Sequence, residues 1–463
     1  MSFFDKHFGP KIKSPLTYST GLYHYLREID GERVRVHLRI DPDECGILLV
    51  NASRVLHLNP TATFMAHLAL DGTSEQTAVD AITRRYRISH KQAQSDYHAF
   101  NLQLAELVRP DGACPIHDLA LETTAPFSIR PSAPYRMDLA LTYRCNNDCA
   151  HCYNPRETRR IKPSAASELN TAEWKKILSH LWQIGIPHIV FTGGEPTLRN
   201  DLPELIAYAQ ALGQVTGLNT NARRLSDPGY VQQLADSGLD HVQITLESHD
   251  SNIHDQMVAS IGAWDQTIAG IRNSLATKLF VMTNTTLLTN NVPGLSQTLD
   301  FLAELGVPTV GLNALIYSGR GANVGTGLPE NNLPPLLKLA REKIQANGQR
   351  LIWYTPTQYC NFDPVLLELG VKGCTAALYN MCIEPNGSVL PCQSYYQSLG
   401  NILANPWEAI WNHELAVYIR ERKYVPEACS GCGLLPECGG GCPLIILNNN
   451  LKEINSETLS LGA

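Results

Sequence analysis

Three cysteines stand close together in the stretch Cys145 to Cys152, with three and then two residues between them. Thiolates at that spacing can share one metal centre. A zinc site closed by protein takes four nitrogen or sulfur ligands. A four-iron cluster takes one thiolate per iron. Three cysteines therefore point to a [4Fe–4S] cluster with one iron left for a ligand that is not protein. The chain has thirteen cysteines, an odd and unevenly placed set, which argues for metal rather than disulfides. Eight of them follow residue 359: Cys360, Cys374, Cys382, Cys392, Cys429, Cys432, Cys438 and Cys442. Cys429-x2-Cys432 with Cys438-x3-Cys442 also has the spacing of a zinc ribbon. Cys45 and Cys114 stand alone and read as ordinary thiols; Cys114 and His117 lie in a Pro-rich stretch without further ligands nearby.

The triad needs elements to hold it. Met137 to Tyr143 is an apolar strand pattern that ends just before Cys145. Pro187 to Thr192 reads as a second strand and runs into Gly193-Gly194-Glu195-Pro196. Further strands are expected at 214–219, 240–246, 279–286 and 308–315, separated by helical patterns. One of these helices is capped by Asn170 with Glu173. Strands alternating with helices imply an α/β fold with a parallel sheet.

A Cys-x3-Cys-x2-Cys triad after a first strand, with GGEP after the second, resembles the radical S-adenosylmethionine (SAM) enzymes. The resemblance implies a partial (β/α)6 radical SAM barrel over residues 137–330, with chemistry at the carboxyl ends of its strands. It implies that Cys145, Cys149 and Cys152 hold a catalytic cluster whose open iron chelates SAM, which is then cleaved to a 5′-deoxyadenosyl radical. By the same resemblance the backbone at Gly193, Gly194 and Glu195 meets the SAM amino group, and the ring or backbone of His151 touches adenine. Asn219, Thr220 and Asn221 stand where relatives read TNG and contact the ribose or carboxylate, although the third position of that motif is Ala222 here. Thr245, Glu247 and Ser248 end the fourth strand, where one of them faces SAM. Arg320 matches a late arginine that pairs with a carboxylate or caps its loop.

The later cysteines also have a family likeness. Cys374, Gly387, Cys392 and the run Cys429, Cys432, Cys438, Cys442 resemble the SPASM extension, a cysteine-rich domain expected over 331–463. It implies one or two auxiliary [4Fe–4S] clusters, the first on Cys374, Cys382, Cys392 and Cys442, the second on Cys429, Cys432 and Cys438. The last ligand of the second stays open between an exposed iron, a tail residue such as Glu453 or Glu457, and Cys360. The second cluster being absent is the remaining alternative. Cys360 is also a candidate thiol for returning a hydrogen atom to a substrate.

Residues 1–108 are expected to be an α+β, winged-helix-like unit. Its strands are expected at 33–38, 46–51 and 55–58, and its helices are capped by Thr73 with Gln76 and by Ser89 with Gln92. The phrase from Val55 to Ile82 resembles the PqqD-like domain, or RiPP recognition element, which binds the leader of a precursor peptide by adding it to a sheet edge. Residues 109–136, with Pro110, Pro115, Pro126, Pro131 and Pro134, read as a linker.

A net charge of −7 with no long basic run excludes nucleic acid as a partner. No stretch approaches the ~20 apolar residues of a membrane span. Without the apolar core of a signal peptide at the N-terminus, the chain is expected to be cytoplasmic. Together these readings imply a radical SAM/SPASM oxidoreductase that matures a ribosomally made peptide. It would form a crosslink (thioether, ether or carbon–carbon) or an epimer, with electrons from an external donor such as flavodoxin or ferredoxin. Action on a small molecule or a folded protein is the alternative, and a non-catalytic iron–sulfur or zinc scaffold is the third.

Overall fold

A computed structural model describes residues 18–29, 32–51, 54–108, 130–155 and 168–447. The linker positions Cys114 and His117 and the tail positions Glu453 and Glu457 lie outside the described residues. The chain divides into two compact units, one within residues 1–132 plus 180–187, the other within 133–179 plus 188–463.

The first unit opens with four antiparallel strands in sequential order: β1 (Gly21–Ile29), β2 (Glu32–Ile40), β3 (Gly46–Val50) and β4 (Arg54–Leu58). β2 to β4 cover the three expected strands. β1 had no counterpart in the sequence reading. Its exposure alternates poorly, and its register comes from pairing along its whole length with β2, Gly21 opposite Ile40 and Ile29 opposite Glu32. A strand defined by its partner leaves a weak signal in its own residues.

Three helices follow: α1 (Pro60–Leu70), α2 (Glu75–Tyr86) and α3 (His90–Leu107). In the Leu-Asn-Pro phrase, Leu58 ends β4, the Asn59 side chain accepts from the Ala62 N–H, and Pro60 starts the helix. α2 is capped by Ser74, not by the expected Thr73. The Thr73 N–H is taken by the Leu68 carbonyl in closing α1, so the next residue caps instead. Ser89 caps α3 as expected, accepting from the Gln92 N–H. Val36, Leu38, Leu48, Phe64, Leu68, Ile82, Tyr97 and Leu104 belong to the buried core of this unit.

The second unit holds a nine-stranded sheet. Six parallel strands match the expected ones within about two residues: β5 (Arg136–Thr142), β6 (His188–Gly193), β7 (Val215–Thr220), β8 (His241–Thr245), β9 (Phe280–Thr286) and β10 (Thr309–Asn313). They lie side by side in chain order. β5 and β6 are buried almost end to end, so they read as unbroken apolar runs, as strands covered on both faces do. The connecting helices include α4 (Thr171–Ile184), α5 (Leu202–Leu212), α6 (Pro228–Asp236), α7 (Ser251–Val258), α8 (Ala263–Leu275) and α9 (Leu295–Glu304). At the start of α4 the Asn170 and Glu173 side chains each accept from the other's backbone N–H, at 3.0 and 2.8 Å.

The sheet runs past the expected end of the barrel at residue 330. After α10 (Leu333–Ala346), β11 (Arg350–Trp353) adds in parallel beside β10. The chain then reaches the opposite edge, where β12 (Asn380–Ile383) pairs in parallel with β5 and β13 (Val389–Leu390) turns back on β12. This pairing sets Cys382 directly opposite Asp138 of β5. The C-terminal cysteines are thereby tied to the strand that leads into the triad.

Candidate active site

The triad loop leaves β5 at Thr142 and is pinned from several strand ends. The second strand comes first. Gly194 N–H donates to the Thr142 carbonyl at 2.7 Å and Glu195 N–H to the Arg144 carbonyl at 2.8 Å. A Cβ at Gly193 would lie 2.2 Å from the Thr142 oxygen, and one at Gly194 2.3 Å from the Arg144 oxygen. Gly193 also has φ +134°, a conformation other residues rarely adopt. The two glycines let β6 run against the start of the triad loop.

Glu195 is fully buried. Its carboxylate accepts from the Thr197 N–H and hydroxyl, the Thr220 hydroxyl at 2.7 Å and the Asn221 N–H at 2.8 Å. Burial still holds this carboxyl above its usual range against those four donors. Its side chain thus organises the end of β7, fixing Thr220 and Asn221. The Asn221 amide in turn donates to the Asn146 side chain at 2.7 Å and lies 3.9 Å from the Cys145 sulfur. Ala222 has φ +59°, the reason a glycine suits that place in a TNG motif. Asn219, half-buried on β7, and Thr245, half-buried at the end of β8, stand at strand ends of the same sheet.

His151 is held by a carboxylate. Its Nε2 lies 3.0 Å from Oε1 of Glu247, a residue 1% exposed, whose other oxygen accepts from the Thr286 N–H. The Glu247 N–H donates to Nδ1 of His254, whose imidazole burial holds below its ordinary value. The structure therefore gives the side chain of Glu247 to His151. The buried Ser248 hydroxyl accepts from the Asp250 N–H and shapes the turn into α7.

Two arginines clamp the loop itself. Arg320 pairs with Asp148, and its own N–H donates to the Cys152 carbonyl at 2.9 Å. Arg320 thus does both things expected of it, pairing with a carboxylate and holding the loop, with Asp148 as the carboxylate. Arg223 reaches the Asn146 carbonyl at 2.5 Å, the Asn147 side chain at 2.9 Å and the Ser260 hydroxyl at 2.8 Å. Asn154 donates to the Gly193 carbonyl at 2.9 Å and accepts from Tyr396. Sequence reading missed Arg223 and Asn154. The one signal for Arg223 was its place directly after Asn221 and Ala222.

The bare thiols fit a cationic occupant. Burial, then the neighbouring Cys152 and Cys145, raise the Cys149 thiol well above its ordinary value, and a cation bound there would favour its thiolate. Asn147 N–H already points at the Cys145 sulfur at 3.4 Å, the kind of hydrogen bond that supports a cluster thiolate. None of the twelve described cysteines is in a disulfide. Among the described residues no group of three or more His, Cys, Asp or Glu side chains is gathered as a single metal ion would need.

The later cysteines form two groups. Cys374, Cys392 and Cys442 are neighbours. Burial first, and then its two partners, raise the Cys374 thiol, and Cys392 is pushed up to about 12 by burial. Cys382 is buried on β12 beside Asp138 and Cys392. Cys429, Cys432 and Cys438 make the second group, and Cys360 joins it. Burial raises the Cys429 thiol, with Cys360, Cys438 and Cys432 adding to the effect in that order. Between Cys438 and Cys442, three glycines with φ of +62°, +80° and +81° turn the chain from one group to the other.

Comparison with known proteins matches three segments of the chain. The family model for coenzyme PQQ synthesis protein D (PqqD) matches residues 44–107. That for the radical SAM superfamily matches 139–302, and that for the SPASM iron–sulfur cluster-binding domain matches 374–433. Fe-coproporphyrin III synthase of Methanosarcina barkeri is 29% identical over 329 residues, 65% of this chain and 81% of its own. The fold is similar to that of Streptococcus suis SuiB bound to precursor peptide SuiA. The TM-score is 0.65 at 18% identity, over 88% of this chain and 94% of that one. It is also similar to anSMEcpe with bound AdoMet, with a TM-score of 0.53 at 17% identity over 67% and 89% of the two chains. Three segments in this order imply a [4Fe–4S] cluster, SAM and auxiliary iron–sulfur clusters.

Proposed function

We propose that this radical SAM/SPASM enzyme modifies a ribosomally made precursor peptide, whose leader is held by the PqqD-like segment. The observation that carries the reading is the coexistence in one chain of that segment, with β4 at a sheet edge, and of the triad loop with its strand-end clamps. An edge strand presents unpaired N–H and C=O groups, which an extended peptide can pair with. β4 is short, half-exposed and, among the described residues, bonded to β3 alone. Holding the leader there raises the effective concentration of the rest of the peptide at the barrel mouth. The likeness in fold to SuiB, solved with precursor peptide SuiA, supports the same reading.

Cys145, Cys149 and Cys152 would hold the catalytic cluster. Bound there, a [4Fe–4S] cluster with SAM supplies a 5′-deoxyadenosyl radical that takes a hydrogen atom from the substrate. The protein's part is placement. Glu195 fixes Thr220 and Asn221, Glu247 fixes the His151 ring, and Arg223 and Arg320 hold the loop rigid. Gly193, Gly194, His151, Asn219, Thr220, Asn221 and Thr245 are the residues at the strand ends that would line SAM. Cys374, Cys382, Cys392 and Cys442 would hold the first auxiliary cluster. Electrons would come from an external donor such as flavodoxin or ferredoxin, and the product would carry a crosslink or an epimerised residue.

The test uses full-length chain prepared without oxygen, SAM, dithionite, and the peptide of a short reading frame beside the gene. The expected result is 5′-deoxyadenosine together with a peptide lighter by two hydrogens per crosslink, or one of unchanged mass in ordinary water that gains a deuterium at the epimerised carbon in heavy water. Formation of 5′-deoxyadenosine without peptide binding or modification would count against it. That outcome would favour a second reading, action on a small molecule, for which the identity to Fe-coproporphyrin III synthase speaks.

A further inference from the structure

The loop that follows β11 folds onto the second group of C-terminal cysteines. Tyr359 N–H donates to the Cys438 sulfur at 3.4 Å, and the Cys438 thiol donates to the Thr357 carbonyl at 3.7 Å. A Cβ at Gly441 would lie 2.9 Å from the Gln358 side chain and 3.2 Å from its backbone nitrogen, so this stretch packs directly on the glycine run after Cys438. The loop is a closed turn. Asn361 and Phe362 N–H both donate to the Gln358 carbonyl, at 2.8 and 3.1 Å. It is anchored on both flanks, by the Tyr359 hydroxyl accepting from the Lys372 N–H and by Phe362 packed edge-on against Trp353. Cys360 sits in this turn, directly after the residue bonded to Cys438, and is exposed, as is Cys432.

We propose that Cys360 is the fourth protein ligand of the second auxiliary cluster, completing the set Cys429, Cys432 and Cys438. The electrostatic neighbourhood of Cys429 agrees, since Cys360 stands first among the thiols acting on it. Each cysteine would lose its thiol proton to solvent on binding iron. The Tyr359 N–H to the Cys438 sulfur would then be a hydrogen bond from the ligand-bearing turn to a cluster thiolate, a contact that tunes potential. Two consequences follow for function. A cluster with four thiolates has no open iron and does not ligate the substrate. Two exposed ligands put it near the surface, where electrons enter or leave. Cys360 is then a ligand rather than a thiol that returns hydrogen to the product.

The inference rests on the reading that Cys429, Cys432 and Cys438 bind a cluster, and the experiment separates the two. Full-length chain with the triad replaced by alanine is reconstituted without oxygen, alone and with Cys360→Ala, Cys360→Ser or Cys429→Ala added. Iron, sulfide and the low-temperature EPR spectrum of the reduced protein are compared. The expected result is that Cys360→Ala changes the spectrum and lowers iron as Cys429→Ala does, by up to roughly four iron per chain. Cys360→Ser, with a weaker oxygen donor, would keep more iron than alanine. Cys360 is exposed, so before reconstitution its alanine variant should melt within a degree or two of its parent, which separates ligation from folding. Loss of iron in Cys429→Ala with wild-type iron and spectrum in Cys360→Ala would overturn the inference alone. No change in either would overturn the cluster reading and the inference with it. If Glu453→Gln or Glu457→Gln instead reproduces the Cys429→Ala spectrum, the ligand is in the tail and Cys360 is excluded.

Discussion

Glu195 shows how a motif residue acts. It stands in a sequence phrase expected to meet a ligand, yet its carboxylate is spent on Thr197, Thr220 and Asn221 inside the protein. Glu195→Gln puts an amide NH2 against groups that are themselves donors. One or more would be left unpaired, at a cost of about 1–3 kcal/mol. The expected outcome is a clearly lower melting temperature and weaker SAM binding, read by thermal denaturation and equilibrium dialysis. A variant with unchanged stability would show the four contacts to be dispensable. The pair formed by buried His188 and half-buried His241, 2.8 Å apart through their Nε2 atoms, gives a second residue-scale expectation. Burial, then Arg136, lowers the imidazole of His241 from 6.5 to about 4. The unfolded chain takes up the proton first, so stability falls as pH drops from 6.5 towards 4, by at most about 3 kcal/mol from this group. His57 in the other unit is lowered to about 4 as well, by burial and then Arg39. Melting temperatures from pH 7.5 to 5 should decline in steps assignable by His241→Asn and His57→Asn.

Among the elements, β4 carries the sharpest expectation. Along an edge strand, consecutive residues turn their N–H groups alternately towards the neighbouring strand and outward. Val55 and Leu56 are consecutive on β4, opposite Leu49 and Leu48 of β3. Proline at the inward one removes a ladder hydrogen bond and lowers the melting temperature. Proline at the outward one leaves the fold intact and weakens peptide binding, by about tenfold if one main-chain hydrogen bond to the peptide is worth ~1.4 kcal/mol. Fluorescence anisotropy with labelled peptide and full-length Val55→Pro and Leu56→Pro chains reads both effects. Equal affinity in all stable variants would remove β4 as the docking edge. The elements also show where a local pattern misleads. Thr73 has the residue type and spacing of a cap, but its N–H closes α1, so Ser74 begins α2.

For the molecule as a whole, the cysteine groups are separate in place and should be separable in content. Cys145→Ala with Cys149→Ala and Cys152→Ala should abolish 5′-deoxyadenosine formation and remove roughly four iron per chain, leaving the iron of the C-terminal groups. Loss of all iron would mean that loading of the three sites is coupled, a coupling for which β12 paired to β5 offers a route. Among the described residues no helix is long and apolar enough to cross a membrane.

Much of this was legible in the residues. The triad at Cys145, the GGEP phrase, six apolar strands alternating with helices, and the late cysteine spacings are local patterns, fixed by thiol chemistry and by side-chain periodicity. They determined the order of segments and the kinds of cofactor. What the tertiary structure alone decided depends on partners far apart in sequence. Glu247 is joined to His151 across ninety-six positions, β1 is given its form by β2, and the sheet takes in strands on both sides of the barrel. Tyr359, next to Cys360 in the chain, is brought to Cys438 from seventy-nine residues away. A sequence fixes what a residue can bond to, but which donor finally faces it is set when the whole chain packs.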